Sequence, residues 1–167
     1  MSNDNLGNFF DAGDFGDEEE NAENWKPLKL FGNALFKKSI EILNLSESLC
    51  DVIPENDHSD ATKRILLQNA VAVPSKIKSA MAVDEIYSFV MENAVLIKIS
   101  MVQLLEQLVA LSGFHNVDEE YIEVLRKEIE EFRKIFIQWI SFFEKENDFP
   151  DKWQLFNKPS NFPDDIL

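Results

Sequence analysis

Residues 122–143 read IEVLRKEIEEFRKIFIQWISFF, and this stretch decides the fold. Ile122, Leu125, Ile129, Phe132, Phe136, Trp139 and Phe143 alternate three and four residues apart without a break. That spacing draws an apolar seam down one side of an α-helix, with Glu, Arg and Lys on the other side. Such a seam is stable only when it is buried against further helices. The helix is expected to open at Asn116, with Glu119 three residues later in capping-box spacing, and to run to about Asn147.

Upstream, a helix is expected from about Asp84 to Leu111, with Gly113 placed as its C-cap. Ile86, Val90, Ile97, Met101, Leu104, Leu108 and Leu111 make its core stripe. Met91, Val95, Val102 and Val109 form a second line off that stripe. A helix apolar on more than one face is either central or shared with another subunit, so these four residues are candidates for an oligomer interface.

Before it, about Asp60 to Ala80 reads as a helix with Ile65, Leu66, Ala70, Val73 and Ile77 facing inward. Pro74 lies inside this pattern and removes a backbone donor, which predicts a kink or a break. The first helix follows Pro27, a residue suited to a first helical turn. Its seam is Leu28, Phe31, Leu35, Ile42, Leu45, Leu49 and Val52, with Lys38 discordant, and it ends at Ile53-Pro54. No internal repeat is visible.

The organisation that follows is an acidic N-terminal segment (1–27), a four-helix bundle (28–147) and an irregular C-terminal tail (148–167). Residues 1–27 carry eight acidic side chains and one Lys. With so little apolar area to offset its ordering entropy, the segment is expected to be disordered. Its Phe9, Phe10, Phe15 and Trp25 nevertheless suit docking on a partner. In the tail, Trp153 and Phe156 are placed to fold back on the bundle.

Thirty-one acidic against sixteen basic residues give a net charge of −15, which opposes nucleic acid and anionic membranes as partners. Cys50 is the only cysteine, so no internal disulfide can form; it suits a reducing compartment and reads as a buried structural thiol. No positively charged and apolar run opens residues 1–27, so a secretory signal is not expected. The weakly charged stretch from Asn93 to Leu111 contains Lys98 and Glu106, which argues against a membrane span. A cytoplasmic protein is expected.

Few residues suggest chemistry. A di-iron bundle needs two Glu-x-x-His motifs on facing helices. The chain has one such spacing, Glu55-Asn56-Asp57-His58, at a predicted loop, and its other histidine, His115, falls in another loop. Glu123–Lys127 and Glu130–Lys134 have the spacing of ordinary surface pairs. No phosphate loop or nucleophile elbow is present. An enzyme, a metal site and a cofactor are therefore not expected. From Ala61 to Val83 the charges are Lys63, Arg64, Lys76 and Lys78, with no acid. That basic stripe either balances acidic neighbours or docks a polyanion, including the N-terminal segment itself.

Three stretches carry a family resemblance. Phe36 is followed eighteen residues later by Pro54, after Ile53; Asn69-Ala70-Val71-Ala72-Val73-Pro74-Ser75-Lys76-Ile77 resembles an Ala-Ala-x-Ser-Ile-Pro-x-Asn-Ile motif. Gly113-Phe114, Glu119-Glu120-Tyr121 and Phe132-Arg133-Lys134 resemble a Gly-Tyr…Glu-Glu-Tyr…Arg-Lys pattern. These are features of the small bacterial four-helix-bundle family of rRNA intervening-sequence proteins, whose fold the retroelement accessory variability proteins share. The chain departs from that family at Lys76, at Ser79-Ala80 in place of Glu-Gly, and at Ile97-Lys98…Met101 in place of Gly-Ser…Glu. The resemblance spans about residues 30–143 and implies rings of bundles, often five, mostly without an assigned activity. The retroelement proteins bind a reverse transcriptase and nucleic acid through a basic surface.

The expected architecture is all-α: an up-down-up-down antiparallel four-helix bundle with a Pro-kinked second helix and irregular acidic tails. The expected role is a non-enzymatic, self-associating protein-interaction or scaffold module. The alternative is a nucleic-acid accessory protein using Lys63, Arg64, Lys76 and Lys78.

Overall fold

The computed structural model describes residues 26–55, 57–84, 86–113, 117–146 and 148–158. Most of the acidic N-terminal segment, including its four aromatics, therefore lies outside the described residues, as do Asn116, His115 and residues 159–167. The described residues form four helices and no strand: α1 (Pro27–Val52), α2 (Asp57–Ala82), α3 (Tyr87–Ser112) and α4 (Glu119–Ile140). They pack together, α1 against α2 and α4, and α3 against α2 and, least extensively, α4.

The seam that opened the sequence reading faces the core. Ile122, Leu125, Ile129, Phe132 and Trp139 are buried, and Phe136 and Phe143 are partly buried against them. Trp139 is only 1% exposed. It meets Phe143 edge-on at 4.7 Å and Phe136 at 6.0 Å between ring centroids. Burying each such large apolar side chain contributes about 1.5–3 kcal/mol, which is what the three-four spacing supplies to the bundle.

Both ends of α4 differ from expectation. Asp118, not Asn116, is the N-cap: its carboxylate accepts the Glu120 backbone N–H at 3.0 Å, satisfying a donor of the first turn. The helix stops at Ile140 and not near Asn147. There the backbone tightens, with Ser141, Phe142 and Phe143 donating to Gln138, Trp139 and Ile140, each three residues back. The turn lets Phe142 stack on Phe31 of α1 at 5.4 Å. On the solvent side of α4 three ion pairs form at a spacing of three, Arg126–Glu123, Arg133–Glu130 and Lys134–Glu131, and Arg126 also reaches Glu119 seven residues back.

In α1 the buried line is Gly32, Leu35, Ser39, Ile42, Ser46 and Leu49, a heptad that alternates small and large residues. Leu28, Phe31 and Leu45 are only partly buried, and Val52 is exposed. The seam is therefore rotated from the purely hydrophobic one. Serines are tolerated in it because each hydroxyl bonds back to its own helix, Ser39 to the Phe36 carbonyl at 2.6 Å and Ser46 to that of Ile42 at 2.7 Å. Gly32 is needed for space. A Cβ there would lie 3.1 Å from Met81 Sδ of α2 and 3.3 Å from Trp139 Nε1 of α4. Lys38, discordant in the apolar seam, reaches sideways to Glu128 of α4 at 2.7 Å.

The helix α2 is one element that continues through the buried Pro74, so the chain does not break there. It begins at Asp57, earlier than Asp60, and buries Leu66, Ala70, Val73 and Ile77, whereas Ile65 is exposed. The helix α3 buries Val90, Ile97, Met101, Leu104, Leu108 and Leu111, while Ile86 precedes it as N-cap. Gly113 caps its C-terminus at a φ of −84°, a conformation open to any residue.

Candidate functional site

The surface that departs most from a solvated one is the outer side of α3. Phe89, Val95, Leu96, Ile99, Val102, Leu105 and Val109 are all exposed on this helix, Val109 to 64%; Val95, Val102 and Val109 share one line with Ile99 beside it, whereas Leu96 and Leu105, nine residues apart, point to opposite sides. Met91 is half-buried. Three of the four residues expected to lie off the core stripe are thus exposed. The structure adds Phe89, Leu96, Ile99 and Leu105, which lie off that second line. Only Glu92, Lys98 and Glu106 carry charge on this helix. By length and composition it is also the one helix among the described residues able to cross a membrane, although its core stripe packs into the bundle.

Seven-residue spacing places Ser88, Val95, Val102 and Val109 on one line along α3. The three valines are exposed, but Ser88 is only 2% exposed. The segment after α4 covers it. Asp148 accepts the Ser88 backbone N–H at 3.1 Å and its hydroxyl at 2.7 Å. Ile86, the N-cap of α3, has no side chain able to cap, so Asp148, 60 positions beyond Ser88, does so. Burial pushes the Asp148 pKa up, but hydrogen bonds from Ser88, Asn157 and Phe149 outweigh it and hold the carboxyl below the usual aspartate range.

The same groups organise a loop. The Asp148 carboxylate also accepts from Asn157 Nδ2 at 2.7 Å, and Asn157 Oδ1 accepts the Asp151 N–H at 2.6 Å. Asp151 in turn accepts the backbone N–H groups of Trp153 at 2.8 Å and Leu155 at 2.7 Å. Trp153 does not fold back on the bundle as expected: it is 93% exposed, and Leu155 and Phe149 are also exposed, whereas Phe156 is half-buried. The polar side chains turn inward to satisfy the loop's own backbone, and this turns the apolar ones out.

The four cations of α2 are not brought together on one face. Residues two apart in an unbroken helix point about 200° apart, which separates Lys76 from Lys78. Lys78 Nζ sits over the Phe36 ring, 4.4 Å from its centroid. Lys63 and Lys76 are half-buried and Arg64 is exposed. Nearby, the Cys50 thiol donates to the Lys63 carbonyl at 3.9 Å. Burial pushes its pKa up to about 11, the signature of an inert thiol. Among the described residues no three His, Cys, Asp or Glu side chains are grouped to hold a metal ion. Glu55 precedes α2 and His58 lies in its first turn.

Among the described residues these features define an all-α helical bundle with exposed apolar side chains along the outside of α3 and a hydrogen-bonded loop docked at its first turn. Comparison of the chain with protein-family models, with curated proteins and with solved structures gives no match.

Proposed function

We propose that the chain is a non-enzymatic, cytoplasmic bundle that self-associates through the outer face of α3 and serves as a protein-interaction or scaffold module. One observation carries this reading: seven large apolar side chains exposed on a single helix of a protein whose net charge is −15. A chain so charged has ample means to keep a surface solvated, so apolar residues concentrated on the outside of one helix, with Val95, Ile99, Val102 and Val109 closest together, point to a partner. A second copy is the simplest partner, because every copy presents the same face. In this reading the chain is a divergent member of the rRNA intervening-sequence bundle family, and that resemblance suggests a ring of five.

The reading also takes the helices to run up, down, up and down, with α2 bent at Pro74. Contacts at the ends support that order. Gly32, near the start of α1, lies beside Met81 near the end of α2 and Trp139 near the end of α4. Ser88, in the first turn of α3, meets Asp148 just after α4. A buried proline inside a helix lacks a donor and crowds the preceding turn, which favours the bend. The separated cations of α2 give the nucleic-acid alternative no compact phosphate clamp.

Val102→Glu combined with Val109→Glu tests the reading. Light scattering on the full chain should show a larger particle for the parent and 19.3 kDa for the variant. Equal masses for the two, with helicity unchanged, contradict it.

A further inference from the structure

One buried polar group stands outside the hydrogen bonding of the core. Trp139 Nε1 has no partner among the described residues, although the side chain is only 1% exposed. A buried donor without a partner is uncommon, because burial strips it of water and returns nothing. The ring is not free to turn towards an acceptor elsewhere: Phe143 packs edge-on at 4.7 Å and Phe136 lies at 6.0 Å. The N–H is therefore held in place as well as unpaired.

A thioether lies beside it. The point where a side chain on Gly32 would begin is 3.3 Å from Trp139 Nε1 and 3.1 Å from Met81 Sδ, so the two atoms border the same small space. Glycine puts no side chain there. Thioether sulfur accepts hydrogen bonds only weakly, and the indole forms none with it. One added oxygen changes that. A sulfoxide is polar, its oxygen extends from Sδ by one bond, and the rotatable methionine chain supplies the remaining movement. Met81 is also placed to meet a small oxidant: it is half-buried at the penultimate position of α2, whereas Met101 is 6% exposed within the core.

We infer that Met81 is an oxidation site whose sulfoxide is held by the Trp139 indole. The oxidant is a peroxide. A lone pair of Sδ attacks one peroxide oxygen, the O–O bond breaks and an S–O bond forms. With hydrogen peroxide the second oxygen leaves, takes the proton from the first and departs as water; sulfur gives up two electrons and the peroxide accepts them. Methionine sulfoxide ordinarily disrupts a packed core. Here the new oxygen meets a donor that lacks a partner and ties the end of α2 to the end of α4.

The test uses the full chain carrying Met91→Leu and Met101→Leu, exchanges that nearly conserve volume. It is treated with hydrogen peroxide while folded, and peptide masses locate the added oxygen. Proton–nitrogen NMR spectra follow the Trp139 indole N–H, assigned by elimination with Trp25→Phe and Trp153→Phe. The expected result is one oxygen on Met81 and a downfield shift of the Trp139 indole proton, with no shift when Met81→Leu is added. Urea unfolding gives a second reading: oxidation of Met81 should lower the folding equilibrium constant at least about fivefold more in a Trp139→Phe chain than in one that keeps the indole. Met81 left as a thioether in the folded chain, under peroxide that converts it in urea, overturns the proposal. A Met81 sulfoxide with the Trp139 resonance unmoved, or equal losses with and without the indole, overturns it as well.

Discussion

Replacing Gly32 tests whether α1, α2 and α4 meet as closely as described. A glycine inside a helix costs about 0.8–1.0 kcal/mol relative to alanine, so Gly32→Ala would stabilise the protein by that amount if the space beside it were open. It is not open. The new Cβ would lie 3.1 Å from Met81 Sδ, 3.2 Å from Met81 Cγ and 3.3 Å from Trp139 Nε1. The methionine end can swing aside, but Trp139 is held between Phe136 and Phe143 and cannot. Strain should therefore consume most of the propensity gain, leaving Gly32→Ala within about 1 kcal/mol of the parent. Gly32→Leu pushes three further carbons towards the indole and should lose a net 1–3 kcal/mol, roughly the usual cost of overpacking. Urea unfolding followed by circular dichroism at fixed protein concentration measures both changes. Adding Met81→Ala should recover part of the Gly32→Leu loss, giving a coupling of about 1 kcal/mol in a double-mutant cycle. A Gly32→Leu chain as stable as the parent would mean that the three helices do not converge here.

Trp139→Ala should cost about 3–5 kcal/mol in the same assay, since an almost fully buried indole leaves a large cavity; a loss below about 1 kcal/mol would contradict its place in the core. Asp148 has a folded pKa below its unfolded value of about 3.9, so its contribution is fully present above that pH and is lost as pH falls through the folded value. Asp148→Ala should therefore destabilise the chain at pH 7, with the difference from the parent shrinking as the pH drops below about 4; a pH-independent difference would refute the cap. Cys50, with its pKa pushed up to about 11, should react with a thiol reagent at pH 8 at least about a hundredfold more slowly than in the urea-unfolded chain. Equal rates would place the thiol at the surface.

How much of this was legible in the sequence differs from helix to helix. The α4 seam was plain because large apolar residues alternate with charged ones, and the two sides of the helix contrast fully. The α1 seam was misplaced because Gly32, Ser39 and Ser46 are small or polar, and only their packing and back-bonding to Phe36 and Ile42 show why they are buried. The outer line of α3 was visible as a second period, but its full width was not, since nearly every face of that helix is apolar. Hydrophobic period also says nothing of long-range polar contacts. The bond from Ser88 to Asp148 joins residues 60 apart, and no local pattern marks it. The α2 cations looked like a stripe in order of residues, whereas the turn of the helix divides Lys76 from Lys78.

The central claim is that copies of this chain meet through the outer face of α3, and the mass of the full chain in solution tests it most directly. Sedimentation equilibrium at micromolar concentration should give a multiple of 19.3 kDa. Because the copies are strongly acidic and the contact apolar, association should strengthen as salt is raised from about 0.01 M to 0.15 M, where the screening length falls from roughly 30 Å to 8 Å. A single species of 19.3 kDa at every concentration and salt would contradict the account.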